Sequence, residues 1–420
     1  MMGRTRRARM RLILSAAIVV LASSAYGQDD AEIVILGGEG RHCGEDPECI
    51  NRLHPAIPMA SRAAPGQTIV FRARNASDFD LDPANTTADP RDGDPQIGTV
   101  HPLTGPVHIE GAERGDVLAV TLLSIDPGPY GYTAVTDIGF ISDHVSGDLR
   151  VLWQLDRKEA FSEGIPGVRV PNASFPGIVT VLPGREELDE MLSREAALSS
   201  AGGAVFAPHA LHASPAAVCG PDGSHPGECL RTLPPREHGG NMDIRYMQAG
   251  VTIYLPCYVD GCGLAIGDPH FAQGDGEVSG TAIEMDADFT VTTRLIKDGP
   301  DLSRGPHYEG PVRVLDIPSR RFYATTGFPL KAEGEVPPDM AYLESPKVAG
   351  LSNLSKDISL AARNALLEMI DYMTETYGVS REQAYIIASV AVDLRIGQLV
   401  DAPNVGVTAI LPLDIFTGSR

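Results

Sequence analysis

The residue types and patterns that are scarce in the sequence already exclude several classes of protein. Lys and Arg total 34 against 55 Asp and Glu, which gives a formal net charge of −21. A surface this acidic repels phosphate backbones, so we expect no nucleic-acid partner. No segment reaches the roughly 20 apolar residues that a membrane helix needs. The sequence also lacks a C-x-x-C motif and an internal repeat of fixed period.

Glycine and proline, by contrast, are abundant. The 44 glycines and 33 prolines make about 18% of the 420 residues, against roughly 12% in an average protein. This composition excludes a helical bundle or a coiled coil as the main architecture and favours many short strands joined by turns. A hydrophobic content of 43% excludes global disorder, and the length suffices for one large core or a few smaller ones.

The N-terminus has the features of a secretory signal. Five arginines precede an apolar run over residues 12–22, and Ala25 and Gly27 provide the small residues of a cleavage site. A membrane anchor is the alternative, but the apolar run is too short to span a bilayer. We therefore expect residues 1–27 to be a signal peptide, and the mature protein to be periplasmic or secreted and not bound to a membrane.

The cysteines agree with export. All six form pairs that are close in sequence, and in an oxidising compartment such spacing favours a bridge within each pair. A zinc cluster or a catalytic thiol is the alternative. The predicted disulfides are Cys43–Cys49, Cys219–Cys229 and Cys257–Cys262.

Changes in composition divide the chain after the signal peptide. Residues 28–185 are predicted to form an N-terminal β-rich domain and residues 186–350 a central β domain that carries a metal motif. Residues 351–420 are predicted to form a C-terminal α+β segment. The predicted strands include residues 68–73, 117–122, 251–255, 289–295 and 407–413, and a helix is predicted at residues 186–200.

Two amphipathic helices are predicted in the C-terminal segment. Ser355 is expected to cap the first, in which apolar residues recur at three- and four-residue spacing. Gly378 is expected to end it, and Ser380 with Gln383 forms a capping box for the second. Strands and helices together predict a β-rich α+β fold.

Residues 267–277 contain three carboxylates and one imidazole. In extended backbone Asp268 and His270 project from the same face, which is a compact start for a divalent metal site. Two glycines further on let the chain turn and bring Asp275 or Glu277 back toward them. A solvated acidic loop is the alternative, because acidic turns with glycine are common on surfaces.

Several further segments accompany this one along the chain. Together the segments are Pro235-Arg236-Glu237, Gly239-Gly240-Asn241-Met242-Asp243, Gly267-Asp268, His270-Phe271-Ala272-Gln273-Gly274-Asp275-Gly276-Glu277, residues 279–284, residues 103–107, residues 110–113 and Ala384-Tyr385. They resemble the signature of the acetamidase/formamidase family. The similarity covers about residues 50–416, and a signature this long and of mixed polarity is not a chance match.

The resemblance implies a β-rich fold with sandwich and barrel elements and an α+β C-terminal portion. Members of the family hydrolyse short aliphatic amides such as formamide and acetamide, some relatives act on lactams, and they depend on a metal, usually zinc. The implied partner is a small-molecule amide, and the implied cofactor is zinc, with calcium in a structural role as the second choice. A homo-oligomer stays open.

Carried over through the motifs, Asp243, Asp268 and His270 are implied as metal ligands and Glu277 as the general base. The neighbouring motif residues are expected to contact the substrate or to support the ligands: Glu237, His238, Gln273 and Asp275. The chain departs from the family pattern at His101 and His238, where the family usually has Asn. It departs also in the Cys257–Cys262 bridge and in an enlarged loop over residues 201–231, so the substrate is less defined than the metal site.

The expected function is that of an exported hydrolase that cleaves the C–N bond of a small linear amide with metal-activated water. A non-catalytic exported relative that binds a metal or a ligand is one alternative, and a lactam hydrolase on the same scaffold is another. The complete motif from residue 268 to residue 277 favours the enzyme, whereas the two histidines favour divergence.

We expect cleavage near Gly27, so that the mature protein begins near Gln28. The small residues at the cleavage site are the reason. N-terminal sequencing of the exported protein tests this expectation, and an exported chain that still carries Arg6 would contradict it.

Overall fold

A large branched β-sheet, two small sheets and four α-helices make up the structure. It is a computed structural model that describes residues 33–85, 97–135, 139–200, 202, 205–331, 336, 338–354, 356–399 and 405–417. All of these residues belong to one compact unit, Ile33–Arg420. The predicted signal peptide and the predicted cap Ser355 lie outside the described residues.

The described part of the chain contains twenty strands and four α-helices. The strands are β1 (Val34–Leu36), β2 (Cys49–Ile50), β3 (Arg52–Leu53), β4 (Ser61–Ala63), β5 (Thr68–Ala73), β6 (Leu103–Ile109), β7 (Val117–Val135), β8 (Leu149–Leu155), β9 (Glu159–Phe161), β10 (Arg169–Pro171), β11 (Phe175–Thr180), β12 (Leu230–Arg231), β13 (Gly239–Asn241), β14 (Thr252–Pro256), β15 (Cys262–His270), β16 (Glu284–Ile296), β17 (His307–Glu309), β18 (Phe322–Gly327), β19 (Asp393–Gln398) and β20 (Gly406–Pro412). The helices are α1 (Arg185–Ser200), α2 (Ala216–Cys219), α3 (Ile358–Tyr377) and α4 (Arg381–Ala391).

The large sheet joins fifteen strands around two long ones. β7 pairs with β16 along most of its length, with β14 near its start and with β8 near its end. The other edge of β16 pairs with β5 and, at its first residue, with β15. β15 also pairs with β6 and β11, and β11 pairs with β13. The order β16-β15-β11-β13 decides where the candidate site forms.

The predicted strands are confirmed, but two of them are much longer than predicted. On β16 the side chains alternate between core and partly exposed positions, with Phe289 and Val291 fully buried. The predicted strand at residues 117–122 is only the start of β7, which continues to Val135. The added part is rich in Gly and Pro. It is extended because its backbone groups pair with β16 on one edge and with β8 on the other.

The C-terminal segment has the two predicted helices, but the first is capped by Asp357 and not by the predicted Ser355. Asp357 caps α3 by accepting a hydrogen bond from Leu360 N (2.8 Å), and Gly378 ends α3 in the left-handed region at φ 67°. Ser380 and Gln383 form the predicted capping box of α4. Helix α3 packs on the three-stranded sheet β18-β20-β19. The predicted β-rich α+β class, with two amphipathic helices in the C-terminal portion, is confirmed.

All six cysteines form disulfides, in the predicted pairs. The Cα–Cα distances are 5.2 Å for Cys43–Cys49, 5.8 Å for Cys219–Cys229 and 4.6 Å for Cys257–Cys262. The third bridge closes the turn that leads into β15.

Among the described residues, no helix combines the length and apolar character needed to cross a membrane. The large sheet takes strands from residues 28–185 and from residues 186–350 alike. The boundaries of the three predicted segments stay predictions.

Candidate metal centre

Five titratable side chains meet beside strands β11, β15 and β16. The ligating atoms of Asp243, Asp268 and His270 all lie within 4.8 Å of one another, and so do those of His270, Glu277 and Glu284. His270 Nε2 lies 3.2 Å from Glu284 Oε2, 3.4 Å from Asp268 Oδ1 and 4.0 Å from Glu277 Oε1. Two overlapping groups of carboxylates therefore share one imidazole.

The strands bring these residues together from distant parts of the chain. Asp268 and His270 end β15, and Glu284 begins β16 directly opposite His270. At Asp243, Asp268 and Glu277 the backbone φ is 49°, 57° and 43°, in the left-handed region that residues other than glycine rarely adopt. Such backbone persists only where the surrounding structure imposes it, and it is concentrated at functional sites.

Helix α4 holds the loop that carries Glu277. Gly274 N donates to Ser389 O (2.8 Å), and Ser279 N donates to Ser389 Oγ (3.0 Å). A side chain at Gly274 would collide with Val392 O, so glycine is what permits this close approach. The C-terminal segment thus positions a residue that lies more than a hundred positions away in sequence.

Gln273 connects two of the predicted ligands. His270 Nδ1 lies 2.9 Å from Gln273 Oε1 and donates to it, and Gln273 Nε2 donates to Asp243 O (2.7 Å). A proton on Nδ1 leaves the lone pair of the neutral ring on Nε2, which faces the carboxylates. The ring of Phe175 meets His270 edge-on at a centroid distance of 5.0 Å. The orientation of the imidazole is therefore set from two sides.

The donor set fits a divalent cation. The atoms Asp243 Oδ1, Asp268 Oδ1, His270 Nε2 and Glu284 Oε2 are buried and make no well-aligned hydrogen bond, although His270 Nε2 lies within 3.4 Å of two of these oxygens. Buried polar atoms of this kind are costly unless they are paired or bind a metal. Carboxylate oxygen and imidazole nitrogen are both ligands that zinc accepts.

Burial changes the titration of three of the carboxyl groups. It raises the pKa of Asp243 to about 7 and the pKa of Glu284 to about 6. Burial and the nearby Asp243 carboxylate also raise the pKa of Glu277 well above its ordinary value. A cation stabilises such groups, because its charge replaces the protons that they would otherwise hold.

Asp268 and His270 shift in the directions expected of an ion pair. Burial opposes the charge on Asp268, but the imidazoles of His101 and His270 outweigh it and hold the pKa of Asp268 below its usual range. Burial likewise opposes the charge on His270, but the Glu284 and Asp268 carboxylates raise its pKa above the ordinary value. His101 itself is buried, its pKa is lowered by burial, and its Nδ1 has no hydrogen-bond partner.

The remaining predicted motif residues lie outside this cluster. Each has a polar partner of its own: Glu237 pairs with Arg194 of α1 (2.9 Å), His238 Nδ1 with Thr180 Oγ1 (2.8 Å), and Asp275 with Tyr246 Oη (2.7 Å). Burial, and then the Arg236 charge, lower the pKa of His238 to about 3, so this ring is neutral. Gln273 alone of the four predicted supporting residues contacts the ligands, and the roles of the others toward a substrate stay predictions.

Glu284 is the residue that sequence reasoning did not single out. It is the last residue of the matching segment over residues 279–284. Its separation from His270 in the sequence does not indicate that the two side chains meet. Only the pairing of β15 with β16 places its carboxylate against the imidazole.

A second group of possible ligands, His54, His225 and Glu228, does not fit a cation. His54 Nδ1 accepts a hydrogen bond from Ala56 N (3.0 Å), so in the neutral ring the proton lies on Nε2 and leaves no lone pair there. Glu228 is already paired with Arg185 at 2.7 Å.

The sequence and the fold of this chain are similar to those of one protein family. The sequence model described as the acetamidase/formamidase family matches residues 39–418. Formamidase from Methylophilus methylotrophus is 31% identical over 399 residues, which cover 91% of this chain and 93% of that protein. Acetamidase from Mycolicibacterium smegmatis is 32% identical over 368 residues, covering 80% and 84%. Among solved structures, a gamma lactamase from Delftia acidovorans superposes with a TM-score of 0.79 at 30% identity, covering 93% of this chain and 94% of that one.

Replacing Gln273 should weaken cation binding without unfolding the protein. Gln273→Leu removes both hydrogen bonds that orient His270 and Asp243, and loss of such support typically costs about 10- to 100-fold in metal affinity. Zinc titration against a chromophoric chelator measures the change. Gln67→Leu is the control. It removes a hydrogen bond within a local turn, from Ala64 N to Gln67 Oε1 (3.0 Å), and leaves the ligand cluster unchanged. Unchanged affinity in Gln273→Leu would show that the ligands do not depend on this side chain.

Proposed function

Because the chain belongs to the acetamidase/formamidase family, we propose that it hydrolyses the C–N bond of a small linear amide, with formamide and acetamide as the simplest substrates. Family membership makes it an amidohydrolase that acts on carbon–nitrogen bonds outside peptides. The observation that carries the proposal is the cluster around His270, in which four buried ligand atoms without hydrogen-bond partners converge within the family motif.

Asp243, Asp268 and His270 would hold the cation. Two carboxylates and one imidazole match the three-ligand sets of catalytic zinc sites. Calcium prefers oxygen ligands only, so the imidazole favours zinc. When bound, the cation would supply Lewis-acid activation of water and of the amide carbonyl.

Exposure distinguishes the two glutamates of the cluster. The Glu277 side chain is 16% exposed, whereas the Glu284 side chain is 2% exposed. Glu284 Oε1 accepts a hydrogen bond from Ala282 N (2.8 Å), which holds its other oxygen toward His270. The more accessible Glu277 is suited to exchanging protons with water and substrate, and the fixed Glu284 to supporting the imidazole.

Glu277 is the general base of the proposed reaction. It accepts a proton from the water that attacks the carbonyl carbon and returns this proton to the nitrogen as the C–N bond breaks. The products are a carboxylic acid and ammonia.

A lactam is the second candidate substrate. The likeness to the gamma lactamase from Delftia acidovorans, over nearly the full length of both chains, supports it. A lactam contains the same carbonyl and nitrogen in a ring, so the same residues would act on it.

We propose further that the enzyme works outside the cytoplasm. The three disulfides support this location, because such bridges persist in oxidising compartments.

Ammonia release tests the function directly. We expect the zinc-loaded protein to release ammonia from formamide or acetamide and to lose this activity with a chelator, because the bound cation would supply the Lewis-acid activation of water. Opening of 2-pyrrolidinone, followed by chromatography, tests the lactam alternative. A protein that binds zinc but acts on none of these compounds would be a non-catalytic relative.

Two substitutions separate a metal ligand from a general base. Glu277→Gln should retain zinc and lose about 10²-fold or more in turnover, the usual contribution of a positioned acid–base group. His270→Ala should lose zinc, because it removes the nitrogen ligand. Metal analysis and steady-state kinetics provide the measurements, and Glu375→Gln on the exposed side of α3 is the control. A Glu277→Gln protein without zinc would make Glu277 a ligand, and full zinc in His270→Ala would place the site elsewhere.

A further inference from the structure

Gly177 occupies an unexpected place for a glycine. It lies within β11, which pairs with β15 on one edge and, from the next residue onward, with β13 on the other. All six residues of this strand are buried. Glycine in the interior of a strand weakens the strand. Glycine at such a position often marks a place where a ligand or another backbone comes close.

The space that a side chain would need at this position is the space between the ligands. A Cβ atom at Gly177 would lie 2.6 Å from Asp268 Oδ2, 2.8 Å from Asp243 Oδ1 and 2.9 Å from His270 Cε1. Each of these contacts is shorter than carbon atoms tolerate. A side chain at position 177 would therefore collide with all three predicted ligands at once.

The backbone of Gly177 contributes in a second way. Gly177 O accepts hydrogen bonds from Met242 N (3.1 Å) and Asp243 N (3.2 Å). These bonds tie the segment that carries Asp243 to β11. Gly177 thus fixes one ligand through its main chain and leaves room for all three by having no side chain.

We infer that Gly177 is a positioning residue that keeps Asp243, Asp268 and His270 arranged around a cation, and that any larger residue there displaces them. This inference rests on the proposed cation site. It concerns a residue that makes no direct bond to the cation.

The kind of atoms that would collide predicts the outcome of a substitution. All three are the far ends of side chains and not backbone, so the protein can relieve the contact by turning the ligands away. The backbone of Gly177 also lies outside the left-handed region, so alanine suits its conformation. Gly177→Ala should therefore fold and yet bind the cation poorly.

The test compares Gly177→Ala with Gly397→Ala. Gly397 is also a strand glycine, in β19, but a Cβ atom there would meet nothing closer than Gly406 O at 3.4 Å. Both variants are titrated with zinc against a chromophoric chelator, and their melting temperatures are measured with chelator and with excess zinc. We expect Gly177→Ala to lose at least about 10-fold in zinc affinity, as when ligand support is removed, and to lose the rise in melting temperature that zinc gives the native protein. Gly397→Ala should keep both.

The outcomes separate this inference from the proposed function. If the native protein binds no zinc or other divalent cation, the proposed site itself is wrong. If the native protein binds zinc and Gly177→Ala binds it equally well, the role of Gly177 is wrong while the proposed function stands. If Gly177→Ala does not fold, adding Asp243→Ala, Asp268→Ala and His270→Ala to it decides, since these changes remove all three side chains that the Cβ atom would meet. The same three changes with Gly177 retained are the control. Recovered folding would support the collision, and a protein that folds with Gly177 but not with the Gly177→Ala change in this background would overturn it.

Discussion

Four carboxyl groups around a single imidazole, two of them buried and two half-buried, are the constraint on which the rest of the structure depends. Placing so much negative charge in the interior costs free energy unless it is balanced by protons or by a cation. The raised pKa values of Asp243 and Glu284 are one expression of this cost. The buried ligand atoms that make no hydrogen bond are another.

The fold holds these groups together against their repulsion. Adjacent strands fix His270 and Glu284 opposite each other, and left-handed backbone at Asp243 and Asp268 aims their side chains inward. The loop carrying Glu277 is held from outside the sheet, by α4. The C-terminal segment, which adds no ligand, is therefore part of the site's architecture.

Much of the fold, and part of the cluster, could be predicted from local sequence patterns. The helix end at Gly378 and the capping box at Ser380 are defined by residues a few positions apart, and both were predictable. The disulfides paired locally, as their spacing indicated. Asp268 and His270 do meet, but the backbone at Asp268 is left-handed and not extended, so the i, i+2 spacing alone did not predict how they meet. The long extension of β7 could not be read, because its Gly- and Pro-rich residues are extended only through pairing with neighbours.

The sequence by itself determined the β-rich class, the family, the disulfide pairs and the segment that carries most of the cluster. The class and the disulfide pairs follow from composition and from spacings within reach of a turn or a strand, whereas the family follows from the resemblance of the motifs. The tertiary structure decided that Glu284 joins the cluster, that Glu237 turns away to Arg194, and that Gly177 borders the ligands. Those relations depend on the register between strands distant in sequence, which long-range packing sets and local spacing does not encode.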